Sequence, residues 1–178
     1  RLLRETLRGS ERDERSSARA LGILAAARPA VVAALQEDWP GPILWVAGSP
    51  DAARQNADQV RAWSPHPDGV VYFHAPDVVF YDPSPWDPLT VSARASVLSM
   101  LTPLQQATSA GAGRGLVISA STWALMPRSV TPLAFRRAIL RLTPGRVVSP
   151  YQLLERCVLL GYEPAVVVEG PGTFSHRG

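Results

Sequence analysis

The segment between residues 22 and 29 has the spacing of a phosphate-binding loop without its essential residues. A P-loop has two glycines that let backbone N–H groups approach phosphate, then a lysine and a Ser or Thr for charge and Mg²⁺. Gly22 takes the first glycine position, while Ala27, Arg28 and Pro29 take the second glycine, lysine and hydroxyl positions. Pro29 offers neither a hydroxyl nor an N–H. Whether this is a degenerate relic or a chance match, we expect it not to bind nucleotide.

Other groups that could carry catalysis are sparse. All 18 basic residues are arginines, so a Walker A lysine and a Schiff-base lysine are excluded. The single cysteine, Cys157, excludes an internal disulfide and a zinc site built from several cysteines. His74 could be a general base, and Asp82 with Asp87 could be a carboxylate pair, but a packed histidine and turn or cap aspartates are the favoured interpretation. We therefore expect no enzyme activity, metal site or cofactor.

A stripe of arginines marks the first 20 residues. Their spacing of three and four places them on one face of a helix. The members are Arg1, Arg4, Arg8, Arg12, Arg15 and Arg19. The stripe is either a solvated helix face or a surface that contacts phosphate groups or a protein partner. In the second case Arg4, Arg8, Arg12 and Arg15 are the candidate contact residues.

Length and composition indicate a globular protein with a real core. The chain has 178 residues, 46% hydrophobic and 19% charged, which fits one domain or one domain plus a fragment. No apolar run reaches the roughly 18 residues of a membrane-spanning helix. The Arg-rich start lacks the apolar segment of a signal peptide, so we expect a cytoplasmic protein without membrane contact. A net charge of +3 permits nucleic acid or an acidic protein as partner.

Short apolar runs alternate with helical patterns in the first two thirds of the chain. The predicted elements are a helix at 29–38, a strand at 42–47, a helix capped by Ser49 and ending near Ser64, a strand at 70–73, a loop at 74–90, a helix from Thr90 with Val91, Ala95, Leu98 and Leu101 on one face, and a strand at 116–119. Strands that alternate with helices predict a parallel α/β sheet.

The pattern changes after Pro132. The predicted elements are a strand at 138–142, a turn at 144–145, a helix begun by a capping box at 149–152 and ended by Gly161, a strand at 166–168, a turn at 170–172 and a strand at 173–177. We therefore divide the chain into an Arg-rich helical segment (1–20), an α/β domain (21–137) and the beginning of a small α+β domain (138–178), which we expect to be incomplete.

Several segments, taken in order, share their spacing with one protein family. They are residues 42–46 (PILWV) with 49–53 (SPDAA), 80–85 (FYDPSP) with Ser92 and Arg94, 115–119 (GLVIS), and 153–156 through 161–163 to 170–178. Together, residues 41–178 resemble the N-terminal UvrB-homology module of the bacterial transcription-repair coupling factors, Mfd.

This resemblance implies both a fold and a job. The implied fold is a helicase-like, P-loop-type parallel sheet with flanking helices and a degenerate nucleotide site, followed by the start of the UvrA-binding domain. Such a module does not hydrolyse ATP, although its full-length parent is an ATP-dependent DNA translocase that reaches DNA and RNA polymerase through other domains. The module recruits UvrA, and with it nucleotide excision repair, to RNA polymerase stalled at damaged DNA.

The resemblance also implies site residues. Arg177 matches an arginine that family members use at the UvrA interface, and Phe174 is either its apolar neighbour or a core residue. Ser175 and Pro164 stand where UvrB has further arginines, which predicts reduced affinity for UvrA. The alternative is a nucleic-acid-binding, helicase-like domain of a UvrB-related or other DNA repair protein, in which the arginine stripe contacts DNA.

Overall fold

The computed structural model describes residues 22–77, 84–102 and 113–177. Three parallel strands form its sheet: β1 (Ile43–Ala47), β2 (Val70–Phe73) and β3 (Val117–Ser121). Their order is β1-β3-β2, and Val117 of the central strand lies opposite both Ile43 and Val70. The predicted α/β fold with a small parallel sheet is therefore confirmed.

Proline begins or closely follows the start of each long helix. The helices around the sheet are α1 (Arg28–Asp38), α2 (Pro50–Trp63), α3 (Pro88–Leu101) and the short α4 (Thr122–Leu125). Ser49 accepts a hydrogen bond from the N–H of Ala52 at 3.2 Å, and Asp87 accepts one from Thr90 at 3.1 Å. These side chains cap N–H groups that have no partner within the helix.

Helices cover both faces of the central strand, and all five residues of β3 are buried. Because strand side chains alternate between faces, β3 contributes to two cores. One core joins α1 and α2 to the sheet through Ala33, Ala57, Val60, Val70 and Val117. The other joins α3 and α4 to it through Phe73, Val97, Ile118, Ala120 and Ala124.

A buried glutamine ties the amino-terminal end of the sheet together. Gln36 is 1% exposed, and its Nε2 donates to the carbonyl oxygens of His66 at 3.0 Å and Gly115 at 2.7 Å. Its Oε1 accepts a hydrogen bond from the Ser64 hydroxyl. Gly69 lies against the same point, where an added Cβ would come within 2.2 Å of the Gly115 carbonyl oxygen. The side chain thus links two segments that are distant in the sequence, residues 64–66 after α2 and Gly115 before β3.

The helix before β3 differs in detail from the prediction. It begins at Pro88 rather than Thr90, since Asp87 provides its cap. Val91, predicted on the apolar face, is 48% exposed, whereas Arg94 and Val97 are buried. Leu98 and Leu101 pack against the core as predicted, so the buried face differs from the predicted one mainly by including a charged residue in place of Val91.

The region after β3 has α5 (Pro132–Ala138), α6 (Pro150–Leu159), β4 (Glu163–Pro164) and β5 (Thr173–Phe174). The prediction of a strand at 138–142 is wrong, because Thr131 caps a helix that continues through Ala138, and no strand follows it there. The predicted strand at 166–168 is also wrong, since these residues connect β4 to β5. The last strand is shorter than predicted, ending at Phe174.

The prediction for the start of α6 is wrong, and the prediction for its end is confirmed. Ser149 precedes the helix, but its side chain accepts no capping hydrogen bond, so the predicted capping box is absent. Gly161 ends the helix with a φ of +87°, as predicted. The N–H groups of Gly161 and Tyr162 donate to Val158 and Cys157, both at 2.9 Å, which satisfies the last carbonyls. None of the helices in the described part of the chain is long and apolar enough to cross a membrane.

Candidate functional site

The candidate contact residues Phe174 and Arg177 belong to a small unit built by α6, β4 and β5. The two short strands pair in parallel, with Pro164 opposite Phe174. The N–H of Glu163 donates to the Gly172 carbonyl at 2.9 Å, and that of Ala165 donates to the Phe174 carbonyl at 2.8 Å. Because Pro164 lies between these two donors, its missing N–H removes no bond from the pair.

The backbone before Arg177 is fixed by the turn that precedes β5 and by two side-chain hydrogen bonds. Gly172 has a φ of +88°, a conformation that other L-residues adopt only with strain. The Thr173 hydroxyl donates to the Gly170 carbonyl at 2.9 Å, and the Ser175 hydroxyl donates to the Val166 carbonyl at 3.1 Å. These bonds fix the backbone on both sides of Phe174. Ser175 thus has a local structural role.

The two candidate side chains differ in exposure. Phe174 is half-buried, so it contributes to packing as well as to surface. Arg177 is exposed and makes no hydrogen bond or ion pair with any described residue. A guanidinium group has five N–H donors in a planar fork that matches a carboxylate. Arg177 therefore presents a full set of donors to solvent or to a partner.

The segment with P-loop-like spacing, residues 22–29, includes a turn that is hydrogen-bonded within its own backbone. Residues 25–27 form a 3₁₀ turn in which the N–H of Ala27 donates to the Leu24 carbonyl at 2.9 Å. Arg28 is exposed, and Pro29 is buried in the first turn of α1. A Cβ at Gly22 would meet nothing within 4 Å, so no close approach requires a glycine there. This geometry is a helix entrance rather than a phosphate cradle.

Arg94 is the residue of this fold that sequence reasoning left without a role. It is 5% exposed, and its Nη1 donates to the carbonyl oxygens of His74 at 2.6 Å and Ala124 at 3.1 Å. Its guanidinium carbon lies 4.1 Å from the Phe73 ring centroid and 5.1 Å from that of Trp86. Burial lowers the pKa of this guanidinium from its ordinary value.

Arg94 lies near the carboxyl ends of β2 and β3, at the edge of the sheet where α/β folds commonly bind ligands. Its contacts join β2, α3 and α4. The available signal was its position three residues before Val97 and four before Leu98, which places all three on one helix face. An arginine on an apolar face indicates a buried, internally bonded charge.

His74 and Asp87 are candidate catalytic residues, and the structure shows what each of them contacts. The His74 ring lies 4.5 Å from the Tyr72 ring, and burial, with the nearby Arg94 charge, lowers the pKa of His74. Its Nδ1 is buried and has no hydrogen-bond partner in the described part of the chain. Asp87 caps α3, and its own N–H donates to the Asp77 carboxylate at 3.1 Å. Asp87 thus has the capping role that the sequence predicted, and His74 packs beside Tyr72 and Arg94.

The remaining candidates are less informative. Cys157 is half-buried on α6. The arginine stripe with Arg4, Arg8, Arg12 and Arg15 lies outside the described residues, as does Asp82. Within residues 22–77, 84–102 and 113–177, no group of three His, Cys, Asp or Glu side chains could hold a metal ion.

Comparison of the chain with protein-family models and with curated proteins finds no match. The resemblance to the transcription-repair coupling factors thus depends on the motifs in the sequence.

Proposed function

We propose that this chain is a non-catalytic adaptor module of a transcription-repair coupling factor of the Mfd type. In this role it recruits UvrA, and so nucleotide excision repair, to RNA polymerase stalled at damaged DNA. The observation that carries the proposal is Arg177, an exposed arginine without a described partner. It follows a helix–strand–turn–strand unit, and the sequence spacing of this unit resembles that of the UvrA-binding domain of that family.

The α/β body supports the same proposal. Its small parallel sheet with flanking helices is compatible with a helicase-like, P-loop-type domain. The entrance to α1 lacks the N–H and hydroxyl that phosphate and Mg²⁺ need at Pro29, and the N–H of Ala27 is already bonded within its own turn. A nucleotide site would therefore have no ligand set here, which fits an adaptor rather than a motor.

The chemistry proposed for Arg177 is pairing with carboxylates on UvrA. Loss of one partner of a hydrogen-bonded interfacial charge pair costs about 2–5 kcal/mol. The exchange Arg177→Ala should therefore weaken UvrA binding by well over tenfold, and Arg177→Lys should also weaken it, because an ammonium group lacks the fork geometry. Neither change should alter the melting temperature, because an exposed arginine adds little to stability.

Biolayer interferometry with immobilised UvrA, beside thermal melts, measures both effects. Arg54→Ala is the matched control, since Arg54 is an exposed arginine on α2 with only a 3.7 Å contact to Asp51. Parent-like binding by Arg177→Ala would contradict the site assignment. Salt-dependent DNA binding by a chain that does not bind UvrA would favour the nucleic-acid-binding alternative instead.

A further inference from the structure

Two adjoining grooves are lined by residues 139–148: the smaller one also by α6, and the larger one also by α5 and by Ser99 and Thr102 at the end of α3. One has a volume of about 370 Å³ and includes Arg146 and Arg156 in its lining. The other has a volume of about 690 Å³ and includes Arg136 and Arg141. Leu140 lines both grooves, so they share a boundary and present one continuous surface.

The arginines of these grooves are not neutralised by the protein. None of the four forms an ion pair with a carboxylate of the described residues. Arg146 donates to the Arg141 carbonyl at 2.8 Å, which orients its side chain through a neutral backbone group. Arg136 and Arg141 make no side-chain hydrogen bond within the described part of the chain. Glu155 also lines the smaller groove, and the four arginines with this one carboxylate leave the surface with an excess of positive charge and with unused N–H donors.

Aliphatic side chains accompany these arginines. Leu140, Leu153 and Leu159 line the smaller groove, and Ile139 and Leu142 line the larger one. Single-stranded nucleic acid binds to basic grooves that also offer aromatic rings for base stacking. The linings of both grooves hold no aromatic side chain among their described residues. Linings that combine aliphatic and cationic side chains instead match a peptide helix that has apolar anchors at helical spacing and acidic residues beside them.

We propose that this surface, formed by Arg136, Arg141, Arg146 and Arg156 around Leu140, binds an acidic amphipathic segment of a partner protein. Carboxylates of the segment pair with the arginines, and its aliphatic side chains enter the grooves. Charge complementarity selects this partner, since an arginine fork pairs bidentately with a carboxylate. The proposal goes beyond UvrA recruitment and uses neither Phe174 nor Arg177.

The test measures fluorescence anisotropy with the full chain and labelled probes. The first probe is a synthetic peptide of about four helical turns, with Leu on one face and Glu on the others. The second has the same composition in shuffled order, and the third is a DNA duplex of similar charge. At about 150 mM NaCl, where exposed charges are screened beyond roughly 8 Å, the amphipathic peptide should bind about tenfold more tightly than either.

Matched variants locate the binding surface. Arg136→Ser with Arg141→Ser should weaken binding of the amphipathic peptide by about tenfold or more, because two charge-assisted contacts are lost. These two side chains bond to no described residue, so the fold should persist, which a thermal melt checks. The control is Arg28→Ser with Arg54→Ser, which removes the same charge from the exposed surface of α1 and α2 and should leave binding unchanged.

Three results would overturn the proposal. Equal binding of the shuffled peptide would show that charge alone is recognised. Tighter binding of the duplex would identify a nucleic-acid surface. An equal loss in the control variant, or parent-like binding by the groove variant, would show that these grooves are not the contact.

Discussion

Residues 22–124 and residues 125–177 both contain many aliphatic side chains, yet they bury them differently. Every buried residue of the described chain lies in the first region, between Pro29 and Ala124. In the second region Val147 is 98% exposed and Val166 is 88% exposed. The first region has a strand with helices on both faces, whereas the second has a pair of two-residue strands and the helices α5 and α6. Hydrophobic content alone therefore does not make a core.

Because the two regions differ in burial, we expect the first to determine stability and the second to determine binding. A three-stranded sheet that is covered on both faces can remove apolar area from water, while an isolated two-stranded pair is marginal. Substitutions in the first region should mainly change the free energy of unfolding. Substitutions in the second region should mainly change what the surface binds, as both the Arg177 and the groove proposals require.

The largest contrast should come from a pair of glutamines. Gln36→Leu leaves the buried carbonyls of His66 and Gly115 without a donor, so we expect a loss of about 3–4 kcal/mol in unfolding free energy. Gln152→Leu, on the exposed surface of α6, should change it by less than about 0.5 kcal/mol. Urea denaturation followed by circular dichroism measures both. Similar values for the two variants would refute the role assigned to Gln36.

Two arginines that bond to backbone carbonyls give the next contrast. Arg94→Met removes the donor for His74 and Ala124 and the ring contacts of a buried guanidinium, at a cost of about 2–3 kcal/mol. Arg156→Met removes one exposed bond, to Arg137 at 2.7 Å, and should cost less than about 0.5 kcal/mol. Urea melts of the two variants test this. If Arg156→Met lowered the free energy of unfolding as much as Arg94→Met, side-chain bonds in the second region would contribute as much to stability as those in the first.

A pair of valines tests burial directly. Val60 is 0% exposed, and truncation to Ala should cost about 2 kcal/mol by loss of transfer energy and formation of a cavity. Val158 is 57% exposed, so the same truncation should cost less than about 0.5 kcal/mol. Thermal melts compare them. If Val158→Ala were as destabilising as Val60→Ala, the apolar surface of α6 would be covered in solution and the comparison would fail.

Local signals in the sequence predicted the first region well. These signals are Pro29, the Ser49–Pro50 pair and the apolar runs of β1, β2 and β3. Each signal affects the backbone only a few residues away, and together they predict the parallel sheet that the structure has. The roles of Gln36 and Arg94 could not be derived in this way. Their partners lie 30 and 79 residues away for Gln36, and 20 and 30 residues away for Arg94.

The second region shows where local signals fail. Residues 138–142 and 166–168 have strand-like composition, but a strand also needs a neighbour to accept its backbone hydrogen bonds. The paired residues are Glu163–Pro164, which the prediction missed, and Thr173–Phe174, which begin the strand predicted at 173–177. For the candidate site, the sequence predicted Arg177 and Phe174 through family resemblance, and the groove arginines had no motif that would single them out.

We expect the smallest difference in unfolding free energy at two helices, α2 and α6, that begin with the same Ser–Pro sequence. At α2 the Ser49 side chain accepts a hydrogen bond from Ala52, so Ser49→Ala should cost about 1 kcal/mol of unfolding free energy. At α6 the Ser149 side chain accepts no bond, and Ser149→Ala should cost less than about 0.5 kcal/mol. Since both serines precede proline, differences in backbone restriction largely cancel between the two variants. Paired urea melts decide the matter. Equal losses would mean that Ser149 caps its helix in solution, and that the starts of the helices in the two regions are equally well formed.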